Sequence, residues 1–402
     1  MSKPSVAIIG GGAAGIMCAC HLDTDLYDVH LYEKTSRLGR KLLVAGEGGF
    51  NLTYHEAAEH MVDRYHPSTF AAPYIRNFDS KALRRWLAGL GIETYVGTSK
   101  KVFPVKGIKP YMVVQKLIDH LQERSVQVHT NHQWKGWHSE GLLFGNEAGN
   151  VTVHADIVIL AMGGGSWAKT GSDGSWTALL KENGIAVSPL VPSNCRWLVR
   201  WHPEFVRLAA GKPLKNIAVT IGNERISGEA LITADGIEGG AIYAHAANIR
   251  AAINLNGEAS LQLDLKPSLS EESIAKRLTR RKKSIKHCLV NELKISAEAF
   301  RLIRYHVTKD VYNDPHQLSR EVKAHVVTTK KSCDIDSAIS TAGGVQLSEL
   351  DSNGALSSMP NYYVIGEMLD WDTRTGGYLL QLCFSMGVQL AEVLNRKQKS
   401  SL

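Results

Sequence analysis

Apolar positions along the chain fall into three patterns. Residues 5–9 and 29–32 are short β-branched or apolar runs, and 156–161 is a continuous apolar run of the kind found in a central parallel strand covered on both faces. Helical spacing holds over 79–90, where Leu83, Trp86, Leu87 and Leu90 recur at intervals of three and four and glycines at 89 and 91 supply the stop. It returns at Val114, Leu117, Ile118 and Leu121, ahead of an alternating strand at Val126 and Val128. Between 189 and 325 the character changes: alternating runs at 217–221 and 261–265 predict antiparallel strands. A helix is predicted to follow, with capping-box spacing between Ser268 and Glu271 and an apolar stripe of Ile274, Leu278, Ile285 and Leu289. The tail returns to the first style, with a strand at 362–365 and a helix over 378–394.

The first strand runs into Gly10-Gly11-Gly12-Ala13-Ala14-Gly15, which is G-x-G-x-x-G placed between a buried strand and a helix start. Gly10 allows the tight turn, Gly12 lets backbone approach a pyrophosphate, and Gly15 brings helix and strand together. Ala13 and Ala14 supply N–H groups at the helix start, where phosphates are favoured. Glu33 closes the second strand eighteen residues after Gly15, with Lys34 beside it. A carboxylate there accepts both ribose hydroxyls and repels a 2′-phosphate, so the expected ligand is FAD-like or NAD-like rather than NADP.

Length and charge narrow the picture. The 402 residues imply more than one lobe, and a net charge of +7 comes from only 46 basic against 39 acidic residues, which does not of itself imply a nucleic-acid partner. Most of the local excess sits on the predicted helix after 268, whose polar face carries Lys276, Arg277, Arg280, Arg281, Lys282, Lys283 and Lys286. A solvated face is the plain explanation; RNA, an acidic protein or an anionic substrate is the other. The six cysteines lack metal-ligand spacing, so they read as small core residues and no metal is expected. No signal peptide or membrane-length run is evident, so the expected location is the cytoplasm and no membrane partner is expected.

The segment after Glu33 is more specific. Arg37-Leu38-Gly39-Arg40-Lys41, followed by Gly46, Gly48, Gly49, Asn51, Leu52 and Thr53, resembles the run R-x-G-x-K-x-x-x-S-G-x-G-R-C-N-x-T of HI0933-like FAD-dependent flavoproteins. Gly49-Phe50 stands where most members carry Arg-Cys, which marks a divergent subfamily. Residues 161–166 resemble the second glycine motif of two-dinucleotide-domain flavoproteins, with Met162 in place of threonine. Gly171-Ser172-Asp173-Gly174 resembles a family loop, and a helix N-cap explains the same residues. The longest agreement is at the tail. There Gly366-Glu367, Leu369-Asp370-Trp371-Asp372 and Gly376-Gly377-Tyr378-Leu379-Leu380-Gln381 follow G-E-x-L-D-x-D-G-x-x-G-G-Y-N-L-Q, with Leu379 where asparagine is usual.

The resemblance implies an α/β fold: a Rossmann-like FAD-binding domain of the GR2 type built from 1–188 and 326–402. A β-rich unit at 189–266 and a helical unit at 267–325 would be inserted into it. It implies that Arg40 or Lys41 faces the pyrophosphate, and that Gly46, Gly49, Asn51 and Leu52 lie beside the isoalloxazine. Ala161 and Gly163 would line the second glycine turn, and Gly366 and Glu367 would bind ribitol or phosphate. Gly376, Gly377, Tyr378 and Leu379 would aim a helix N-terminus at the flavin. Trp134 occupies the place that touches adenine through its backbone in Rossmann flavoproteins, and a core position accounts for it equally. No catalytic residue is assigned; Tyr378 and Glu47 are candidates near the ring. The implied activity is FAD-dependent oxidoreduction of a small organic substrate, with hydride transfer through N5 and NADH or NADPH as donor. The alternatives are a flavoprotein that acts on RNA through the basic helix at 270–290, and a flavin-binding regulator.

Overall fold

The computed structural model describes residues 2–44, 49–139 and 141–401. In chain order, β1 (Ser5–Ile9), α1 (Ala13–His21), β2 (Asp28–Tyr32), β3 (Gln127–His129) and β4 (Ile157–Leu160) come first. Then follow β5 (Pro213–Ile221), β6 (Glu224–Ile232), β7 (Ala259–Asp264), α2 (Glu271–Thr279), α3 (Pro315–Ala324) and β8 (His325–Thr329). The chain ends with β9 (Ala355–Leu356), β10 (Met359–Val364) and α4 (Tyr378–Lys399). These elements form two compact units, one of residues 1–191 with 335–402, the other of 192–334.

The first unit is organised on a six-stranded sheet of order β9-β10-β4-β1-β2-β3. Its four pairings apart from the antiparallel β9 edge are parallel, with Ile8 opposite both Ile159 and Leu31. The run Ile157–Leu160 is central, as its unbroken apolar character requires, and Val158, Ile159 and Leu160 are buried. Helix α4 crosses α1 at Gly387, where an added Cβ would lie 2.5 Å from the Ala14 carbonyl oxygen. That close approach lets the C-terminal helix lie on the first one. Asp79 starts the helix Ser80–Gly89 by accepting from the Ala82 N–H.

In the second unit a six-stranded sheet joins Trp197–Leu198, Gly236–Glu238, β6, β5, β7 and β8 in that order, all antiparallel. Strands and helices share this one unit: α2 and α3 belong to it, and β8, which spans the boundary expected at 325/326, pairs with β7. Its buried polar anchor is Asp264, 2% exposed, whose Oδ2 accepts from Arg225 Nη2 and Lys323 Nζ, both at 2.7 Å. Replacing one partner of a buried charge group leaves the rest uncompensated. Asp264→Ala is therefore expected to cost about 3 kcal/mol, read as loss of hydrogen-exchange protection across β7 and β8 in the full-length protein.

The predicted basic helix is not one continuous helix. Its cap is Ser270 rather than Ser268, accepting from the Ser273 N–H, and α2 stops at Thr279. Four consecutive cations, Arg280 to Lys283, occupy the turn that follows, and Ser284 caps a new helical turn at Ile285–His287. Like charges crowded within one turn oppose helix, and the second cap offers the backbone another exit. Among the described residues no disulfide forms, all six cysteines are buried, and burial pushes the Cys20 thiol up to about 12. No described helix is long and apolar enough to cross a membrane, and no described cluster of His, Cys, Asp and Glu could hold a metal.

Candidate functional site

The glycine turn sits on the C-terminal ends of the parallel strands. Gly10 N–H donates to the Tyr32 carbonyl at 2.8 Å and Ala161 N–H to the Ile9 carbonyl at 2.8 Å, which ties the turn to strands on either side. Gly10 has φ +113° and a Cβ there would lie 2.4 Å from the Ala161 oxygen; at Gly15 it would lie 2.1 Å from the Gly10 oxygen. Gly12 is different. Nothing lies within 4 Å of the place its Cβ would take, so the turn opens outward at the residue that caps the start of α1. The N–H groups at this helix start have no intrahelical acceptors.

Glu33 is fixed beside that opening. Its Oε2 accepts from Gly11 N–H at 2.9 Å, and its Oε1 accepts from the Thr35 N–H and hydroxyl, both at 2.8 Å. Lys34 pairs with Asp173 at 2.9 Å, which brings the loop at 171–174 against the 33–35 segment. Within that loop Asp173 also accepts from Ser175 N–H, so one carboxylate both shapes the turn and docks it. The Trp134 strand begins nearby, since Asn131 and His132 donate to the carbonyls of Thr35 and Glu33. The indole itself is buried against Trp137, and its N–H has no partner among the described residues.

Lys41 and Glu367, both singled out in the sequence, meet each other. Lys41 Nζ lies 2.9 Å from Glu367 Oε2 and 2.9 Å from Ser166 Oγ, while Glu367 Oε1 accepts from the Thr341 N–H at 3.0 Å. Arg40 is solvent-exposed. Gly163 and Gly366 belong to the same end of the sheet: the Gly163 carbonyl accepts from Trp176 Nε1, and a Cβ at Gly366 (φ +86°) would lie 2.9 Å from the Ala14 Cβ. Ala161, Gly163, Gly366, Glu367 and the first glycine turn are thus gathered at the C-terminal end of the parallel strands.

The remaining predicted residues form a second cluster at the start of α4. Gly376 and Gly377 have φ +125° and +95°. A Cβ at Gly377 would come within 2.6 Å of Asn51 Nδ2 and 2.8 Å of Thr53 backbone. Asn51 Nδ2 is buried with no partner among the described residues. Leu52 is buried, Gly49 has φ +107°, and Leu379 is half-buried. Gly46 and Glu47 lie outside the described residues. Tyr378 is 1% exposed: its hydroxyl donates to Glu56 Oε1 at 2.9 Å, Tyr54 stacks on its ring and the Arg374 guanidinium lies 5.4 Å from it. Burial holds its hydroxyl well above the usual range. Glu56 and Arg374 are not named by any motif, because each is a lone charged residue in a connecting segment.

The two clusters are joined by α4. Its start carries Gly377, its middle lies on Ala14 through Gly387, and ten residues at 1.5 Å rise place these about 15 Å apart. An extended dinucleotide spans that order of length. The HI0933-like protein Rossmann domain model matches residues 4–393. The chain belongs to this family. It is similar to a 3-dehydro-bile acid delta(4,6)-reductase of Clostridium scindens, 27% identical over 95% of this chain and 97% of that protein. It is also similar to a ribosomal RNA dihydrouridine synthase of Haemophilus influenzae, 21% identical over 97% and 98%. Among solved structures, 3-ketosteroid delta1-dehydrogenase of Sterolibacterium denitrificans with 1,4-androstadiene-3,17-dione shares the fold, with TM-score 0.52 and 11% identity over 99% of this chain and 100% of that one.

The protein is accordingly an FAD-dependent oxidoreductase of Rossmann-like α/β fold. Its residues fit that cofactor in three respects. The backbone is open at Gly12, a carboxylate is fixed beside it at Glu33, and the orphaned Asn51 amide lies at the start of α4.

Proposed function

We propose that the protein reduces a carbon–carbon double bond conjugated to a carbonyl in a small organic substrate, with NADH or NADPH as the electron source. One hydride from the nicotinamide and one proton from solvent add across the double bond, and the nicotinamide leaves oxidised. FAD, when bound, supplies the hydride chemistry at its N5. The chain's part is to hold and orient. The N–H groups at Ala13 and Ala14 and the carboxylate of Glu33 receive the dinucleotide end. The start of α4, with Gly376, Gly377 and Asn51, presents donors where negative charge develops on reduction.

Tyr378 serves this arrangement as a positioning group. Its hydroxyl is committed to Glu56, which is itself paired with Arg64, and its backbone carbonyl accepts from Tyr65. The observation that carries the reading is the close approach of α4 to α1 at Gly387, with the open turn at Gly12 preceding one helix and Gly377 capping the other. The chemistry named for both similar proteins supports the bond type, since a Δ4,6-reductase and a dihydrouridine synthase each saturate a double bond conjugated to a carbonyl.

Anaerobic titration tests it. The purified protein is expected to be yellow, to bleach with one of the two nicotinamides, and to recover its colour when a 3-oxo-4,6-diene steroid or a smaller enone is added. Failure to bleach with either donor removes the nicotinamide from the scheme. Bleaching that no conjugated enone reverses removes the substrate class.

A further inference from the structure

In the second unit, the helix Pro203–Ala209 begins with two backbone donors that end on imidazole nitrogens. The His202 N–H donates to His306 Nε2 at 3.1 Å, and the Glu204 N–H donates to His202 Nδ1 at 3.2 Å. Pro203 between them has no N–H to place. A backbone N–H can only donate, so each of these ring nitrogens carries a lone pair. His306 has no freedom left, because its other nitrogen, Nδ1, donates to the Leu302 carbonyl at 3.0 Å within the helix Ala297–His306. The ring is thus held in one neutral tautomer.

Its surroundings favour that state. Trp201 and Phe205, both buried, meet the His306 ring edge to face at 5.5 and 5.0 Å. Burial holds its pKa below the usual histidine range, and the nearby His325 and His202 rings push the same way against the Leu302 bond. The charges that face the two rings are committed elsewhere. Glu204, which bears on His202, pairs with Arg207 at 2.7 Å on the first helix, and Glu298 pairs with Arg301 at 3.1 Å on the second. Glu321 pairs with His325 at 2.9 Å where α3 runs into β8. Tyr305 stacks on His202, and Arg304 lies over the Tyr312 ring. Among the described residues no carboxylate pairs with His306, so an imidazolium there has no counter-ion.

We propose that His306 is an acid-released latch on this helix: a proton taken at Nε2 ejects the His202 N–H, and residues 201–209 come away from Ala297–His306 with Trp201 and Phe205 exposed. Without that movement two N–H donors would face each other, neither with an acceptor. The loss passes into the first turn, because the residue that loses its bond is also the cap that holds the Glu204 N–H. At the far end the chain stays tied, since the Gly211 N–H donates to the Ile232 carbonyl at 2.8 Å, so the opening is local. His306 binds its proton less well latched than free. The latch is therefore whole above about pH 6.5 and is lost as pH falls through the lowered pKa. It is independent of the reduction proposed above.

Hydrogen–deuterium exchange of the full-length holoenzyme, read on 201–210 and corrected for intrinsic exchange rates, tests it. Between about pH 7.5 and about pH 5.5 protection there is expected to fall by at least about threefold and at most about tenfold, the ratio that one imidazole of ordinary pKa allows once freed. The helix Ser80–Gly89 is expected to show no such change. In His306→Gln the amide oxygen accepts from the His202 N–H but does not titrate, so protection at 201–210 is expected to hold across that range. Where circular dichroism shows that this variant is not folded, His306→Leu takes its place: it has no acceptor, and exchange at 201–210 is expected to be fast at both pH values. His325→Gln is expected to keep the wild-type response. Protection at 201–210 that does not change with pH in the wild type, or that changes equally in Ser80–Gly89, overturns the inference. So does a response that persists in the folded His306 variant or vanishes in His325→Gln.

Discussion

The Gly15→Ala protein is expected to purify without its flavin. Gly15 has ordinary helical backbone, so the obstacle is proximity and not conformation: the added Cβ would stand 2.1 Å from the Gly10 oxygen and 3.3 Å from the Gly10 carbon. Neither neighbour can yield. Gly10 is held by its bond to the Tyr32 carbonyl, and its own approach to Ala161 leaves no slack on the other side. The only relief is for α1 to lift off the sheet, which moves its N-terminal N–H groups from the opening at Gly12. Overpacking of this kind costs about 1–3 kcal/mol. If the loss falls on the bound state, it lowers FAD affinity by roughly tenfold to a hundredfold. Gly89→Ala is the control, since Gly89 is exposed at the end of a helix and nothing lies within 4 Å of an added Cβ there. That protein is expected to keep its colour and melt no lower. The ratio of visible to ultraviolet absorbance and a titration with added FAD decide the matter. Full occupancy and an unchanged melting temperature in Gly15→Ala would show that the glycine is not there for close packing.

What was readable in the sequence follows from how local each feature is. The strand, glycine turn and helix at 5–21 could be read because period, turn chemistry and helix start lie within one short stretch and agree. The α/β class came with the family resemblance, and the unbroken run at Ile157–Leu160 agrees with it as a strand covered on both faces. Pairings between distant stretches were not readable. Lys41 and Glu367 were each marked by motif, yet nothing in either motif says that they meet. Lys34 with Asp173 is the same case, and so is Tyr378 with Glu56, whose partner sits in a segment without a motif. The basic stretch after 270 misled for a local reason. Its apolar stripe continues through Leu289 as in one helix, but the second serine cap and the four adjacent cations break the backbone in between. Periodicity records which side faces the core and is silent on whether the hydrogen-bond ladder is unbroken.

Replacing Lys41 by methionine separates two roles the residue could have. The family resemblance puts Arg40 or Lys41 at the pyrophosphate; the fold places the Lys41 ammonium on Glu367, 7% exposed, with Ser166 completing the contact. In Lys41→Met the carboxylate loses its cation and keeps the Thr341 N–H at 3.0 Å. Breaking a buried pair from one side costs about 3–5 kcal/mol, and the lysine's 27% exposure puts this case at the low end, about 3 kcal/mol. For a unit of this size that corresponds to roughly 6–10 °C in melting temperature. Because the pair is internal, the loss is expected in the flavin-free protein as much as in the loaded one. Glu367→Gln removes the charge while its amide oxygen still accepts from Thr341, so it is expected to cost less. Adding it to Lys41→Met is expected to recover part of the loss, which gives a coupling of at least about 1 kcal/mol in the double-mutant cycle. A lysine that acted only on phosphate would give the opposite pattern, with an unchanged flavin-free melt, a raised FAD dissociation constant and additive double mutants. Differential scanning calorimetry with and without added FAD distinguishes the two, because a phosphate contact exists only when the cofactor is there to be held.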